Sequence, residues 1–139
     1  MAEPLASVLK RYPGSETFRF GDSAKLSADL IRLVRSGKKR ATCSSVLNAK
    51  FGNAMPELGR KDIALNWDGT PAFVIETVEL REVRFCDMTE DMALLEGEDD
   101  SLASWRTGHR RFFERHGVFD PQMILTWERF EVIEDFADV

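Results

Sequence analysis

The chain has 139 residues, 43% of them hydrophobic, and carries a formal net charge of −5 with a sequence pI near 5.1. This length and composition are typical of one globular domain with a single core, and they exclude a wholly disordered chain. The acidic balance gives no global attraction for nucleic acid, so any RNA site requires a local basic patch.

The cysteine content and the N-terminus both indicate an intracellular protein. Cys43 and Cys86 are too few for a disulfide framework and are expected to be reduced thiols, with Cys43 an inert core thiol. The segment Met1–Tyr12 lacks the cationic start and apolar run of a signal peptide. No apolar window approaches membrane-spanning length. A cytoplasmic location with no membrane association is therefore predicted.

Hydrophobic spacing and turn residues predict the secondary structure in chain order. Helices are predicted over 3–12, over 23–36 with Gly37 just beyond its end, from Thr89 to Leu95, and from the Asp99–Ser101 region to about Gly117. Strands are predicted over Ala41–Leu47, Ile63–Trp67, Ala72–Phe85 and Met123–Ile133, with a loop over 48–61, a hairpin turn at Asp68–Gly69 and an acidic tail at the end.

The order of these elements predicts the fold class. Helices and strands neither alternate strictly nor segregate fully, which favours an α+β domain. We expect a small mixed or antiparallel β-barrel, at least partly closed, with helices flanking its rim. No linker divides the chain, so residues 1–139 are predicted to form one domain.

The segment from Gly37 to Ser44 concentrates cations, hydroxyls and a thiol where a helix ends and a strand begins. Its lysines are explained without any function by the negative end of the helix dipole. The alternative is that Lys39 activates Thr42, whose hydroxyl is a poor nucleophile until a base removes its proton. In a regular strand Thr42, Ser44 and Val46 share one face, so Lys39 reaches Thr42 only if it lies in the turn.

The acidic stretch Glu96–Asp100 offers the carboxylate that such a site needs. Glu98, Asp99 and Asp100 are explained equally well as favourable charges at a helix N-terminus. Glu96 is different, because it precedes Gly97 at the end of the preceding helix, where a carboxylate is unfavourable. This local electrostatic cost is a hint of function.

The helix that follows carries a histidine, aromatics and a basic edge. His109 belongs to neither an HExxH nor a Cys/His metal pattern, so no metal or other cofactor is predicted. Trp105 is either core or an aromatic that stacks a base. The cations form either a solvated face or a phosphate patch. They are Arg106, Arg110, Arg111 and Arg115, with Arg32, Arg35, Lys38, Lys39 and Arg40 from the earlier helix and turn.

Together these segments resemble the ASCH domain family, whose fold is similar to PUA domains of RNA-modification proteins. The family motif glycine-x-lysine-x-x-threonine or serine is met by Gly37, Lys39 and Thr42. The resemblance extends over FGDSAKLSADLIRLVRSGKKRATCS, AFVIETVELREVRF, EGEDDSLASWRTGHRRFF and WERFEVIE, and so covers nearly the whole chain.

The resemblance implies binding of RNA or nucleosides, and it implies one of two activities. The first is hydrolysis of the amide of N4-acetylcytidine by a lysine, a threonine and a glutamate, which correspond here to Lys39, Thr42 and, by a looser match, Glu96. In that mechanism Thr42 attacks the amide carbonyl, Lys39 takes its proton, Glu96 holds Lys39, and backbone amides near Thr42–Ser44 stabilise the oxyanion. The partner is then a modified cytidine nucleoside or small nucleobase.

The second implied function is RNA binding or metal-dependent ribonuclease activity. Lys39 and the arginines would then contact phosphate, and the Glu96–Asp100 acids would hold a divalent ion. For the amidohydrolase, which the acidic pI favours, the predicted substrate contacts are Ser44, Lys38, Arg40, Trp105, Arg106 and His109.

Overall fold

The protein was analysed as a computed structural model that describes residues 3–137. The predicted domain of 1–139 includes the first two and last two residues, and the predicted acidic tail includes the last two. These four residues lie outside the described residues. The helices are α1 (Leu5–Arg11), α2 (Ala24–Arg35), α3 (Leu47–Lys50), α4 (Glu90–Leu95) and α5 (Leu102–Arg115). The strands are β1 (Thr17–Phe18), β2 (Ala41–Ser44), β3 (Lys61–Leu65), β4 (Pro71–Arg84) and β5 (Ile124–Asp135).

Helix α2 has the boundaries that its sequence predicts. The Ser23 side chain accepts a hydrogen bond from the backbone N–H of Leu26 and caps the N-terminus. Gly37 follows the last turn with φ of 81°, a conformation that glycine adopts without a steric cost. The buried residues Leu30, Ile31 and Val34 form the helix face that packs on the sheet. The amphipathic pattern therefore predicted this element correctly.

The five strands form one mixed sheet in the order β1-β3-β4-β5-β2. β1 pairs with β3 in parallel, and the other neighbours are antiparallel. The predicted α+β class with a mixed sheet and flanking helices is confirmed. The sheet is not closed, however, because β1 and β2 lie at its two ends, so it is barrel-like at most.

Strand β2 is shorter than predicted. It ends at Ser44, and the chain then turns into α3. Val46 and Leu47, which were predicted to be in the strand, are the N-cap and first residue of that helix. Residue 48, the predicted start of the loop, is also helical. The reason is a local side-chain turn, in which Ser45 Oγ accepts from the N–H of Leu47 and Asn48 Oδ1 accepts from the N–H of Ser45.

The side chains of β2 and β5 pack in two separate hydrophobic clusters, one on each face of the sheet. Ala41 and Cys43 pack in the cluster that contains Trp105 and Trp127. Phe130 packs in the other cluster, against α2. Since side chains alternate along a strand, Thr42 lies on the opposite face of β2 from Cys43. No helix within residues 3–137 has the length and apolar character needed to cross a membrane.

Candidate functional site

A cavity of about 470 Å³ lies between α2, β2 and α5. This volume is within the range of small-molecule sites. Its polar lining comes from several separate elements, and its walls include aromatic rings from the segment before α2 and from α5. The polar residues that matter below are Thr42 and Ser44 of β2, Glu128 of β5, Glu96 and Glu98 after α4, and His109 of α5.

Lys39 is a buried ammonium held by three acceptors. Its side chain is 0% exposed, and Nζ donates to the carbonyl oxygens of Ala41 at 2.9 Å and Glu96 at 3.2 Å and to Glu98 Oε2 at 2.7 Å. Three acceptors match the three N–H groups of an ammonium, whereas a neutral amine has two. Burial opposes the charge, but the carboxylates of Glu98 and Glu96 outweigh it and the pKa of Lys39 is raised.

The Glu96 carboxylate lies at the centre of a set of donors. Oε2 accepts from Trp105 Nε1 and from Cys43 Sγ, both at 3.0 Å, and Oε1 lies 3.4 Å from His109 Nε2. Burial alone would raise the pKa of Glu96, but His109 and Lys39 overcome it and the pKa is lowered. The unfavourable position of this carboxylate at the end of α4 is thus compensated by specific partners. Burial raises the pKa of Cys43, which keeps its thiol protonated, as expected of an inert cysteine.

His109 has an acceptor at each of its two ring nitrogens. Nδ1 lies 2.9 Å from the carbonyl oxygen of Trp105, and Nε2 faces the Glu96 carboxylate. Because both neighbours are acceptors, this arrangement favours the imidazolium, which has a proton on each nitrogen. Burial disfavours this charge, yet the contact with Glu96 outweighs it and the pKa of His109 is raised. The ring also stacks on Trp105 with centroids 4.2 Å apart, which fixes its plane.

Lys39, His109, Glu96 and Glu98 form what we call the charge cluster, two cations and two anions. Oxygen or nitrogen atoms of Glu96, Glu98 and His109 lie within 4.8 Å of one another, a spacing at which a metal ion can bind. Those atoms already face the ammonium of Lys39 and the N–H and S–H donors described above. A metal ion would therefore have to displace the Lys39 ammonium from Glu98.

A tight turn brings the two sequence-distant parts of the charge cluster together. Gly97 has φ of 75°, and a Cβ placed on it would lie 2.4 Å from the carbonyl oxygen of Lys38. The backbone N–H of Arg40 also donates to the carbonyl oxygen of Leu95. The chain after α4 is thus pressed against residues 38–40, which places the end of that helix at the Lys39 ammonium.

The backbone N–H and C=O groups of successive β2 residues point to opposite edges of the strand. The N–H of Phe130 donates to the carbonyl oxygen of Arg40, so alternate residues of β2 direct their backbone groups toward β5. Ala41 and Cys43 consequently direct theirs to the free edge of the sheet. This explains why Lys39 reaches the Ala41 carbonyl, and it leaves the N–H of Cys43, a residue that lines the cavity, on the free edge of the sheet.

Glu128 lies directly opposite Thr42 in the β2–β5 pairing. It is 7% exposed, and Thr77 Oγ1 donates to its Oε2 at 2.7 Å. Oε1 has no hydrogen-bond partner among the described residues. Burial is the main cause that raises the pKa of Glu128 to about 7. A carboxyl group with one unpaired oxygen therefore lines the cavity next to the threonine.

The structure brings together only some of the residues that the sequence singled out. Thr42, Ser44, Glu96 and His109 line the cavity. Five predicted site residues do not line it, namely Lys38, Lys39, Arg40, Trp105 and Arg106. Trp105 is 0% exposed and belongs to the core, while Lys38 and Arg40 are exposed.

The predicted contacts of Lys39 also need correction. Within residues 3–137 no hydrogen bond joins Lys39 to Thr42, and the carboxylate that holds Lys39 is that of Glu98 rather than Glu96. Glu96 contributes its carbonyl oxygen instead. The raised pKa of Lys39 is opposite to the lowered value that a lysine base requires.

The basic residues of α5 that the RNA-binding hypothesis places in the site do not line this cavity, with the exception of Arg115. Arg106, Arg110 and Arg111 are exposed and do not line the cavity. Arg110 pairs with Glu114 on its own helix. Arg115 lines the cavity, but its guanidinium is engaged by Asp22 at 2.7 Å.

Sequence reasoning missed two acidic residues. Glu98 was explained by the dipole of the next helix, and nothing in its spacing indicates a contact with Lys39. Glu128 could have been found from the sequence, because it lies two residues before Phe130 in a strand and therefore on the same, buried face. A carboxylate on the inward face of a strand is unusual and indicates a functional or paired group.

The open mixed sheet, its flanking helices and the polar cavity beside the edge strand define an α+β domain of the PUA-like class. A family model described as "ASCH domain" matches residues 16–134. The chain belongs to the ASCH domain family.

Two solved structures are similar to the chain. One is the ASCH domain from Lactobacillus crispatus JV V101, with 32% identity and a TM-score of 0.76, covering 92% of this chain and 85% of that chain. The other is protein EF3133 from Enterococcus faecalis V583, of family DUF984, with 28% identity, a TM-score of 0.76, and 95% and 86% coverage. No curated protein matches this chain.

Proposed function

We propose that this protein is an amidohydrolase that cleaves the exocyclic amide of N4-acylated cytidine or cytosine. The products are cytidine or cytosine and a carboxylic acid, and N4-acetylcytidine is the simplest substrate. The observation that carries the proposal is that Thr42 lines a cavity of about 470 Å³ together with Glu96, Glu98 and His109 of the charge cluster. The family motif supplies the substrate class, and the cavity has the size that a nucleoside needs.

Thr42 is the nucleophile in the proposed reaction. Its Oγ attacks the amide carbonyl carbon, the C–N4 bond breaks, and water then hydrolyses the acyl-threonine. The backbone N–H of Cys43, on the free edge of β2, is the candidate oxyanion donor. Ser44, on the same face as Thr42 and 6% exposed, supplies a second polar contact to the substrate.

Lys39 acts as a fixed positive charge in this proposal and not as a base. All three of its N–H groups are engaged, so it has no lone pair to accept the Thr42 proton. Its ammonium orders the backbone at Ala41, immediately before the nucleophile, and Glu98 holds the ammonium in place. A fixed charge behind the strand that carries the nucleophile contributes to the preorganised field of the site.

RNA binding is less well supported by the same observations. An RNA strand needs cations along its path, yet Lys39 is buried and Arg115 is paired with Asp22. His109 is the cation of the charge cluster that lines the cavity, and it faces Glu96. This arrangement suits an uncharged nucleoside better than a phosphate chain.

The proposal is tested by incubating the purified protein with N4-acetylcytidine in the presence of a chelator and following cytidine by chromatography. Thr42→Ala is expected to abolish turnover, while Thr42→Ser keeps a hydroxyl and is expected to retain part of it. Ser36→Ala, at an exposed residue after α2, is the matched control. Circular dichroism checks that each variant is folded. No turnover by the wild type on acetyl or bulkier acyl cytidines would contradict the proposal.

A further inference from the structure

We propose that Glu128 is the catalytic base that takes the proton of Thr42 and delivers it to the leaving amine. This inference rests on the proposed function and adds a residue that the family motif does not contain. It fills a gap in the site, because the reaction needs a proton acceptor and the lysine of the motif is fully occupied.

The strand pairing places Glu128 beside Thr42, and within residues 3–137 no hydrogen bond yet joins the two side chains, as is common for a catalytic pair before substrate binds. The two residues are directly paired across β2 and β5, so their side chains leave the sheet on the same face, about 5 Å apart at Cβ. Both line the same cavity. Thr77 Oγ1 holds Oε2 at 2.7 Å, which leaves Oε1 as the oxygen available to a proton.

Four other ionisable groups that line the cavity are already engaged. Both ring nitrogens of His109 face acceptors, and the Glu96 carboxylate accepts from Trp105 and Cys43 and faces His109. Glu98 holds Lys39, and Asp62 is paired with Arg60 at 2.7 Å. Among the carboxylates described here as lining the cavity, Glu128 is the one that combines a free oxygen with adjacency to Thr42.

The charges that face Glu128 come from several elements. Asp62 of β3 disfavours its ionised form, while Lys39 before β2 and Arg60 before β3 favour it. From α2, Asp29 reaches the cavity wall and pairs with Lys25. Burial is the largest effect, and with these charges it gives Glu128 a pKa of about 7. A base is most effective when its pKa lies near the working pH.

The proton balance of the reaction closes with Glu128 alone. As the Thr42 Oγ–carbon bond forms, the hydroxyl proton passes to the Glu128 carboxylate. The carboxylic acid then protonates N4 as the C–N bond breaks, which releases cytidine and leaves acyl-threonine. Glu128 next takes a proton from the attacking water and returns it to Thr42 Oγ, which releases the carboxylic acid.

The experiment compares the wild type with Glu128→Gln and Glu128→Asp, with Glu131→Gln as an exposed control on the same strand. Steady-state turnover of N4-acetylcytidine is measured from pH 5.5 to 9. In a second assay p-nitrophenyl acetate is the acylating probe, and mass spectrometry locates and quantifies acetyl-Thr42. The second assay needs no nucleoside recognition, so it separates proton transfer from substrate choice.

We expect the wild-type kcat to rise through a pH of about 7 and then level off, because the carboxylate is the active form. Glu128→Gln is expected to lower kcat by about 10²- to 10⁴-fold with little change in KM and to remove this pH step. Acetylation of Thr42 should fall in parallel, Glu128→Asp should retain more activity than Glu128→Gln, and Glu131→Gln should match the wild type.

Two different failures can be told apart. Full turnover by folded Glu128→Gln, or an unchanged pH step, would overturn the role of Glu128 and leave the proposed function standing. A wild type without nucleoside turnover, but with Glu128-dependent acetylation of Thr42, would overturn the substrate assignment and support the base. Acetylation of Thr42 that is absent, or independent of Glu128, would overturn this inference.

Discussion

Lys39 Nζ donates to Glu98 Oε2 across 2.7 Å, and this contact joins the turn before β2 to the loop after α4. The two residues are separated along the chain by three strands, β2 to β4, and by the helices α3 and α4. The ammonium also reaches the carbonyl oxygens of Ala41 and Glu96. Lys39 therefore links the free edge of the sheet to the C-terminus of α4.

The burial of this lysine predicts a large effect of Lys39→Met on stability. The substitution keeps the length of the side chain but leaves the Glu98 carboxylate and two carbonyl oxygens without their donor. Breaking one side of a buried ion pair costs about 3 kcal/mol or more in the free energy of unfolding. Urea unfolding measures this change. Lys38→Met is the control, since Lys38 is exposed and its replacement should stay within about 0.5 kcal/mol. Equal losses in the two variants would contradict the structural role of Lys39.

The tight approach at Gly97 predicts that this glycine cannot be replaced. In Gly97→Ala the new Cβ would meet the Lys38 carbonyl oxygen at 2.4 Å and the Lys39 Cα at 2.6 Å. We expect a loss of more than about 2 kcal/mol in the free energy of unfolding, from the clash and the positive φ together.

Gly37→Ala separates these two contributions. Gly37 has a similar φ of 81°, but nothing lies within 4 Å of an added Cβ. Only the backbone cost of about 1 to 2 kcal/mol should appear there. A loss in Gly97→Ala no greater than that in Gly37→Ala would show that the turn relaxes away from residues 38 and 39.

The contact between Glu96 and His109 predicts a histidine that titrates above its ordinary pKa. Because the folded pKa is raised, the stability that this contact contributes is complete below the unfolded value of about 6.5 and is lost as pH rises through the folded value. NMR titration of the His109 ring proton measures the folded pKa directly. Glu96→Gln should lower it, because the anion that holds the proton is removed.

Glu114→Gln is the control for that titration. Glu114 is exposed on the same helix and pairs with Arg110. It should leave the pKa of His109 unchanged. A His109 pKa at or below its ordinary value in the wild type would contradict the imidazolium assignment.

The sequence predicted the elements of the fold better than their contacts. Helix α2 was predictable because its apolar spacing and its Ser23 cap are both local signals. The end of β2 was not, since a turn held by Ser45 and Asn48 overrides the strand pattern. Closure of the sheet was also not predictable, because it depends on whether the end strands β1 and β2 meet.

The candidate site was predicted in part for the same reason. The motif located Thr42, and the local dipole argument singled out Glu96 as a carboxylate that needs partners. Which carboxylate touches Lys39 depends on the turn at Gly97, because Glu96 and Glu98 stand on either side of this glycine and only the tertiary contact selects Glu98. The protonation of Lys39 depends on acceptors at Ala41 and in the distant Glu96–Glu98 turn, a combination that no local pattern encodes.

The raised pKa of Glu128 predicts that the protein becomes less stable as pH rises from about 4.5 to about 7. In this window the folded state holds a proton on Glu128 that the unfolded state has released, so unfolding becomes more favourable with increasing pH. The difference corresponds to about 3 kcal/mol at pH 8.

Glu128→Gln removes the buried charge and its amide can still accept from Thr77. We therefore expect this variant to be more stable than the wild type at pH 8 and close to it at pH 4.5, as measured by urea unfolding at both values. Glu131→Gln, at an exposed site on the same strand, should show no such difference between the two pH values. If Glu128→Gln gained no stability between pH 4.5 and pH 8, the Glu128 carboxyl would titrate at its ordinary pKa, and burial would not be controlling it.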